Sequence, residues 1–441
     1  MKLRAVATVV LVLLTAPLAA EAGPDDIRSK NIRQLVNAPI KVPGGDVADG
    51  SDMAFKGDLL IAGSYSGTAV YRITNAAPYV KQIGFHNCPG AQGDVSVYEN
   101  LVFVSLDSNQ SSDTIGCKEP SAKRSAGKQG LRILDISDPS KPRQIQFVET
   151  PCGSHTHTIY PVGDTVYAYV QSYPLGAQEA DCSVASHRKV SIMKVPLARP
   201  QAAKVSGALD VSPEIGCHDV TIFEPKKLGF AACIGESQIW DLKDPAKPVI
   251  VSRIFNPSIE IHHGAGVTWD GKVMVIADEF AGSVTGECAG HQQSPIGALW
   301  FYDVTDPASP ALLGYYNVPR GARPDSPDEA SYVVCTSHNF NVIPMKDKDA
   351  YIAAVGYRSA GFSIVDFSDP TAPKEAGYYQ QMKEGAIPDI WAAYWYNGRI
   401  YANDNGAARG VSVYEMKGLG RSDTRYFDGL LNPQVQSADF R

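Results

Sequence analysis

The chain has 441 residues, 44% of them hydrophobic and 20% charged, which excludes wholesale disorder. A formal charge of −7, from 40 Lys+Arg against 47 Asp+Glu, and the lack of a basic cluster argue against nucleic acid and anionic membrane surfaces as partners. Thirty prolines and 39 glycines are spread along the whole chain, the pattern of many short elements joined by turns.

At the N-terminus, Lys2 and Arg4 precede an apolar run over residues 5–18, and Ala20-Glu21-Ala22 supplies small residues at the cleavage positions. This predicts a signal peptide over residues 1–22. The run is short for a membrane anchor, and no later stretch reaches spanning length. A secreted or periplasmic monomer is therefore expected. It would consist of an N-terminal segment (23–48) with a closing strand, a propeller body (49–418) and a C-terminal tail (419–441).

Within the body one phrase recurs. Leu131-Arg-Ile-Leu-Asp-Ile-Ser-Asp-Pro-Ser-Lys-Pro142 returns at residues 239–248, 299–310 and 362–373, with weaker copies at 69–78, 190–200 and 410–418. Each copy is an alternating strand running into an Asp-Pro turn, where proline presets φ and aspartate accepts a backbone hydrogen bond. A further strand follows, such as residues 143–149 or 311–316. Upstream lie two more strands joined by a tight turn, as around Asp270-Gly271 and Asn397-Gly398.

The unit is thus four antiparallel strands repeated seven times, with equivalent positions at 49, 92, 155, 218, 263, 338 and 390. An all-β fold follows, a single seven-bladed β-propeller of four-stranded antiparallel blades. The seventh unit ends after Tyr414 without an outer strand, and residues 32–39 look like residues 143–151. The N-terminal strand is expected to complete the last blade and hide its edge.

Arg132-Ile-Leu-Asp-Ile-Ser-Asp-Pro139 and Ser363-Ile-Val-Asp-Phe-Ser-Asp-Pro370 resemble the LVIVD repeat of secreted and surface bacterial β-propellers. That resemblance spans nearly the whole mature chain and implies the fold, with little about function. More distantly the chain is similar to the selenium-binding/methanethiol oxidase propellers, whose histidines are linked to copper; no residue is carried over from them.

All eight cysteines map to one face of the propeller. Export and the even count predict four disulfides: Cys88 with Cys117, Cys152 with Cys182, Cys217 with Cys233, and Cys288 with Cys335. These would pin the long loops 108–130, 172–188 and 281–297 over one mouth of the channel. Thiolate metal ligation is the alternative, but no C-x-x-C spacing supports it.

Of nine histidines, His155, His218, His263 and His338 take the same repeat position in successive blades. Inner strands surround the channel, so these side chains can converge on its axis as ligands of a transition metal, copper being favoured over iron or zinc. His157, two residues on from His155, points the same way and is assigned as auxiliary ligand or proton carrier. Either His262 or His263 could be the inward member of its pair. The bland reading is that these imidazoles hydrogen-bond neighbouring backbone or channel water.

Second-strand ends on this face add Asp107, Gln171, Glu236, Asp278, Glu279, Arg358, Asn403 and Asp404. Glu279 is the candidate catalytic carboxylate. Arg358, Trp391 and Tyr394 are candidate substrate contacts, although packing between blades is the commoner use of such aromatics. Walker, zincin, nucleophile-elbow and dinucleotide motifs are absent.

The expected function is a metal-dependent oxidoreductase, an oxidase or oxygenase, acting on a small molecule. The alternatives are a non-catalytic propeller binding a surface protein or glycan, and a metal-free lyase or hydrolase using histidine as acid and base.

Overall fold

The computed structural model describes residues 26–90, 92–107, 129–174, 182–279, 295, 297–319, 335–382, 386–406, 409–437 and 439–440. The expected signal peptide lies outside them. Among the described residues no helix is long and apolar enough to cross a membrane.

Seven four-stranded antiparallel blades form a β-propeller. The inner strands are Gly50–Lys56, Val95–Tyr98, Thr156–Val162, Asp219–Phe223, His262–Val267, Ser337–Ile343 and Ile390–Tyr396. Both faces of such a strand meet neighbouring blades, so burial is nearly continuous along it, whereas an outer strand such as Val249–Ile254 alternates between exposed and half-buried.

The recurrent phrase has a local physical basis. In each strong copy both aspartates accept the amide two residues on, at 2.8–3.0 Å: Asp135 from Ser137 and Asp138 from Ser140, and likewise Asp241, Asp244, Asp303, Asp306, Asp366 and Asp369. Two successive side-chain turns carry the chain from the third strand to the fourth. In every blade the third and fourth strands also share a register shift, which adds twist at the rim.

The ring closes as expected. Ile32–Ala38 pairs antiparallel with Gly410–Met416 as the fourth strand of blade seven, and it carries the same shift, between Gln34 and Val36. Ile32 and Leu35 are buried beside Tyr414 and Val413 in the core.

Residues beyond 418 cross the mouth opposite the repeat histidines. Leu430–Leu431 pairs with the end of blade one's inner strand, and Val435–Gln436 runs parallel to that of blade four. The Asn432 side chain accepts from Val97 N (2.7 Å) and donates to Val97 O (2.8 Å). Gln436 makes the same pair with Val267, at 3.0 and 2.7 Å. Side-chain amides thus satisfy strand ends that face the channel.

Candidate metal centre in the channel

Disulfides frame the strands that carry the histidines. Cys152 is bonded to Cys182 and Cys217 to Cys233. Cys88 and Cys335 are also disulfide-bonded, and their expected partners Cys117 and Cys288 lie outside the described residues. Cys217 immediately precedes His218, and Cys152 and Cys335 stand three residues before His155 and His338. The chain is therefore covalently fixed close to three of the four imidazoles.

His155, His218, His263 and His338 are all fully buried and form a continuous arc. Ring centroids lie 4.7 Å apart from His155 to His218, 3.8 Å from His218 to His263, and 4.2 Å from His263 to His338. The Nε2 atoms of His155 and His218 are 3.1 Å apart.

Bulges aim some of these side chains. In the first hairpins of blades five and six the register shifts between His262 and Gly264 and between Ser337 and Phe340. This resolves the adjacent pair. His263 faces the arc, while His262 turns to blade four with Nδ1 2.8 Å from the Ser237 hydroxyl.

Glu279 closes the arc. Its Oε2 is 3.4 Å from His263 Nε2, and its Oε1 is 3.5 Å from His338 Nε2 and 3.2 Å from an Arg358 nitrogen. Burial opposes its charge, but His263, His338 and Arg358 outweigh that and hold the carboxyl well below its ordinary range. Arg358 is clamped from the other side by Asp389 at 3.0 and 3.2 Å and lies over the Trp391 ring. Trp391 in turn meets His338, with centroids 4.3 Å apart.

At the opposite end, His155 Nδ1 lies 2.5 Å from the Asp107 carboxylate. Burial disfavours a charged His155, yet Asp107 prevails and raises its pKa. The Tyr173 hydroxyl sits 3.4 Å from His155 Nε2. Burial pushes His218 down, and burial with two neighbouring imidazoles pushes His263 well down.

The donor atoms of His218, His263 and Glu279 all lie within 4.8 Å of one another, a grouping that could hold a metal ion, and the His155 and His338 rings stand on either side. Nδ1 of His218, both ring nitrogens of His263 and Nε2 of His338 are buried without a hydrogen-bond partner.

Two expected site residues are not brought into the arc. His157 is one layer down, with Nδ1 2.8 Å from Ser105 Oγ and 3.1 Å from Asp94, and burial depresses its pKa to about 3. Tyr394 donates to Asp52 in the same lower layer instead of walling the histidines. Of the other strand-end groups, Glu236 pairs with Arg253, Asp404 with Arg409, and Asp278 accepts backbone amides. Tyr173 and Asp389 were not anticipated, because they lie in loops outside the repeat's register.

Residues 126–150 and 346–381 match the family model of the LVIVD repeat. The chain carries the LVIVD repeat. No curated protein sequence matches this LVIVD-repeat propeller. Among solved structures, it is similar to a chain of the S. cerevisiae complex of variant Dbp5 with Nup159, variant Gle1, IP6 and ADP. The identity is 12% and the TM-score 0.50, over 90% of this chain and 96% of that one. It is also similar to a functionally unknown protein from Desulfotomaculum acetoxidans, at 11% identity and TM-score 0.49 over 82% and 93% of the two chains. These likenesses are of fold alone. Neither LVIVD segment contains a histidine of the arc, so the repeat accounts for the frame and function must be argued from the site.

Proposed function

We propose that this LVIVD-repeat propeller is an exported metalloprotein whose channel binds one transition metal through His218, His263 and Glu279, with His155 and His338 as flanking ligands. The observation that carries this reading is the set of buried imidazole nitrogens without partners. Each such group costs about 1–3 kcal/mol if nothing pairs with it, and three neighbouring imidazoles can each turn one nitrogen to a common partner. Nitrogen donors with one carboxylate suit copper, iron or zinc, and the carboxylate moves the preference towards iron or zinc relative to imidazoles alone.

In our reading the protein is an oxidoreductase acting on a small molecule. A metal bound here supplies Lewis acidity or electron transfer at an open coordination position. Arg358 fixes Glu279 and offers a cation to an anionic substrate group, while Trp391 and Tyr65, 6.4 Å apart, wall the approach. Asp107 orients His155 through Nδ1 and leaves Nε2 to face the metal.

Metal content of the protein purified from its export compartment tests the reading. We expect close to one copper, iron or zinc per chain in the wild type and loss of that metal in a His218→Ala/His263→Ala variant that still folds. A metal-free wild type would overturn it. The His155 dyad as metal-free acid and base, or a binding face for a protein or glycan, would then take its place.

A further inference from the structure

Below the histidine arc the channel carries a second polar layer of a different chemistry. Asp52, Asp219 and Asn339 stand on the inner strands of blades one, four and six, and Asp94 immediately precedes that of blade two. All four are more than nine-tenths buried. Asp52 Oδ1 accepts from Tyr394 and lies 3.5 Å from Asn339 Nδ2. Asp94 Oδ2 accepts from the His157 amide at 3.0 Å. The Asp52 and Asp94 carboxyls are close enough to interact directly. Asp219 lines a small cavity together with Asn339, Tyr394 and Gln434 of the C-terminal segment.

Acceptors outnumber donors in this layer. Asp52 Oδ2, Asp219 Oδ1 and Asn339 Oδ1 are buried with no hydrogen-bond partner. Among the described residues no lysine or arginine pairs with any of the three aspartates. Burial and the neighbouring Asp94 push Asp52 well up, and burial with the charge of Asp219 pushes Asp94 to about 7, an electrostatic cost that a cation at this place removes.

We infer that the channel holds a hard divalent cation of the calcium class beneath the histidines, ligated by Asp52, Asp94 and the Asn339 carbonyl. Asp219, across the cavity, adds charge and a water-bridged contact. Oxygen-only donors with several carboxylates select calcium or magnesium over the borderline metals that imidazole prefers. Calcium tolerates irregular coordination completed by water, which suits ligands drawn from three separate blades. The two layers would thus sort two kinds of metal along one axis. The donor sets share no residue, and they touch only where Asp219 Oδ2 lies 3.7 Å from His218 Nδ1.

Calcium and terbium uptake tests it, measured on chelator-treated protein in the folded form and again after refolding in the presence of the metal. Tyr394, bonded to Asp52, makes tyrosine-sensitised terbium emission a local readout. We expect one Ca2+ per chain, a rise in melting midpoint on Ca2+ addition, and terbium emission that Ca2+ displaces. Asp52→Asn with Asp94→Asn should weaken Ca2+ binding at least about tenfold. His218→Ala/His263→Ala should leave Ca2+ stoichiometry unchanged while abolishing transition-metal content, which separates failure of one site from failure of the other. The inference is overturned if wild type takes up none of Ca2+, Mg2+ and Tb3+ under either regime, the outcome expected of carboxyls that share a proton. Binding that survives the double Asn substitution overturns it equally.

Discussion

Buried imidazoles that are neutral in the folded protein make its stability acid-sensitive. Burial, with Arg132 adding to it, lowers His86 to about 4, and burial lowers His157 and His262 to about 3. A depressed base contributes stability that is present above its unfolded pKa of about 6.5 and lost as pH falls towards the folded value. At pH near 5 each such histidine removes about 2 kcal/mol relative to neutral pH. His155, raised by Asp107 against its burial, acts in the opposite sense, so the whole-protein slope is a sum of opposing contributions. The single-residue effect is isolated by difference. His86 lies on the outer strand of blade one, away from the arc, and His86→Gln should flatten the dependence of urea-unfolding stability between pH 7.5 and 5 by about 2 kcal/mol. An unchanged slope would mean that His86 titrates alike in the folded and unfolded states.

Among the elements, the C-terminal segment is held by side-chain amides acting as strand partners. Gln436 satisfies both backbone groups of Val267, a fully buried residue at the end of blade five's inner strand. Gln436→Ala leaves that N–H and C=O unpaired and should cost about 1–3 kcal/mol, read as a lower denaturation midpoint. Gln436→Glu sets a buried carboxylate against the Val267 carbonyl and should cost at least as much as Gln436→Ala at neutral pH.

This segment was not legible in the sequence, because no repeat marks it and its partners are set by hydrogen bonds across more than 160 residues. Blades were legible because their signal is local: an Asp two residues before its own amide donor, then Pro after a second Asp. The level of the histidines followed from counting back to the hairpin turns. Bulges do not show in a sequence, so the choice between His262 and His263 needed the shift at Gly264. The shift between Ile390 and Ala392 likewise put Tyr394 beside Asp52 rather than His338. Asp52, Asp94 and Asp219 escaped notice because they stand three, two and one residues beyond the repeat position, and only the folded register brings them to one layer.

At the scale of the whole molecule, the channel exists only while the ring is closed, and closure depends on a strand from the far end of the chain. Leu35 of that strand is 2% exposed and packs in the core that joins blades six, seven and one. If closure is integral, removing its side chain weakens the entire ring, because opening blade seven exposes an unpaired edge and separates the inner strands that carry His338 and Trp391. Leu35→Ala should then lower global stability by about 2–5 kcal/mol, as expected for a buried leucine inside a blade, in a single cooperative transition. Native-state hydrogen exchange supplies the sharper reading. Amides of Val413 and Tyr414, which flank the closing strand, should lose protection in parallel with those of Ile61 and Val220 in distant blades. If only Val413 and Tyr414 lose protection, the strand is a local clasp that frays on its own, and the geometry of the histidine arc does not depend on it.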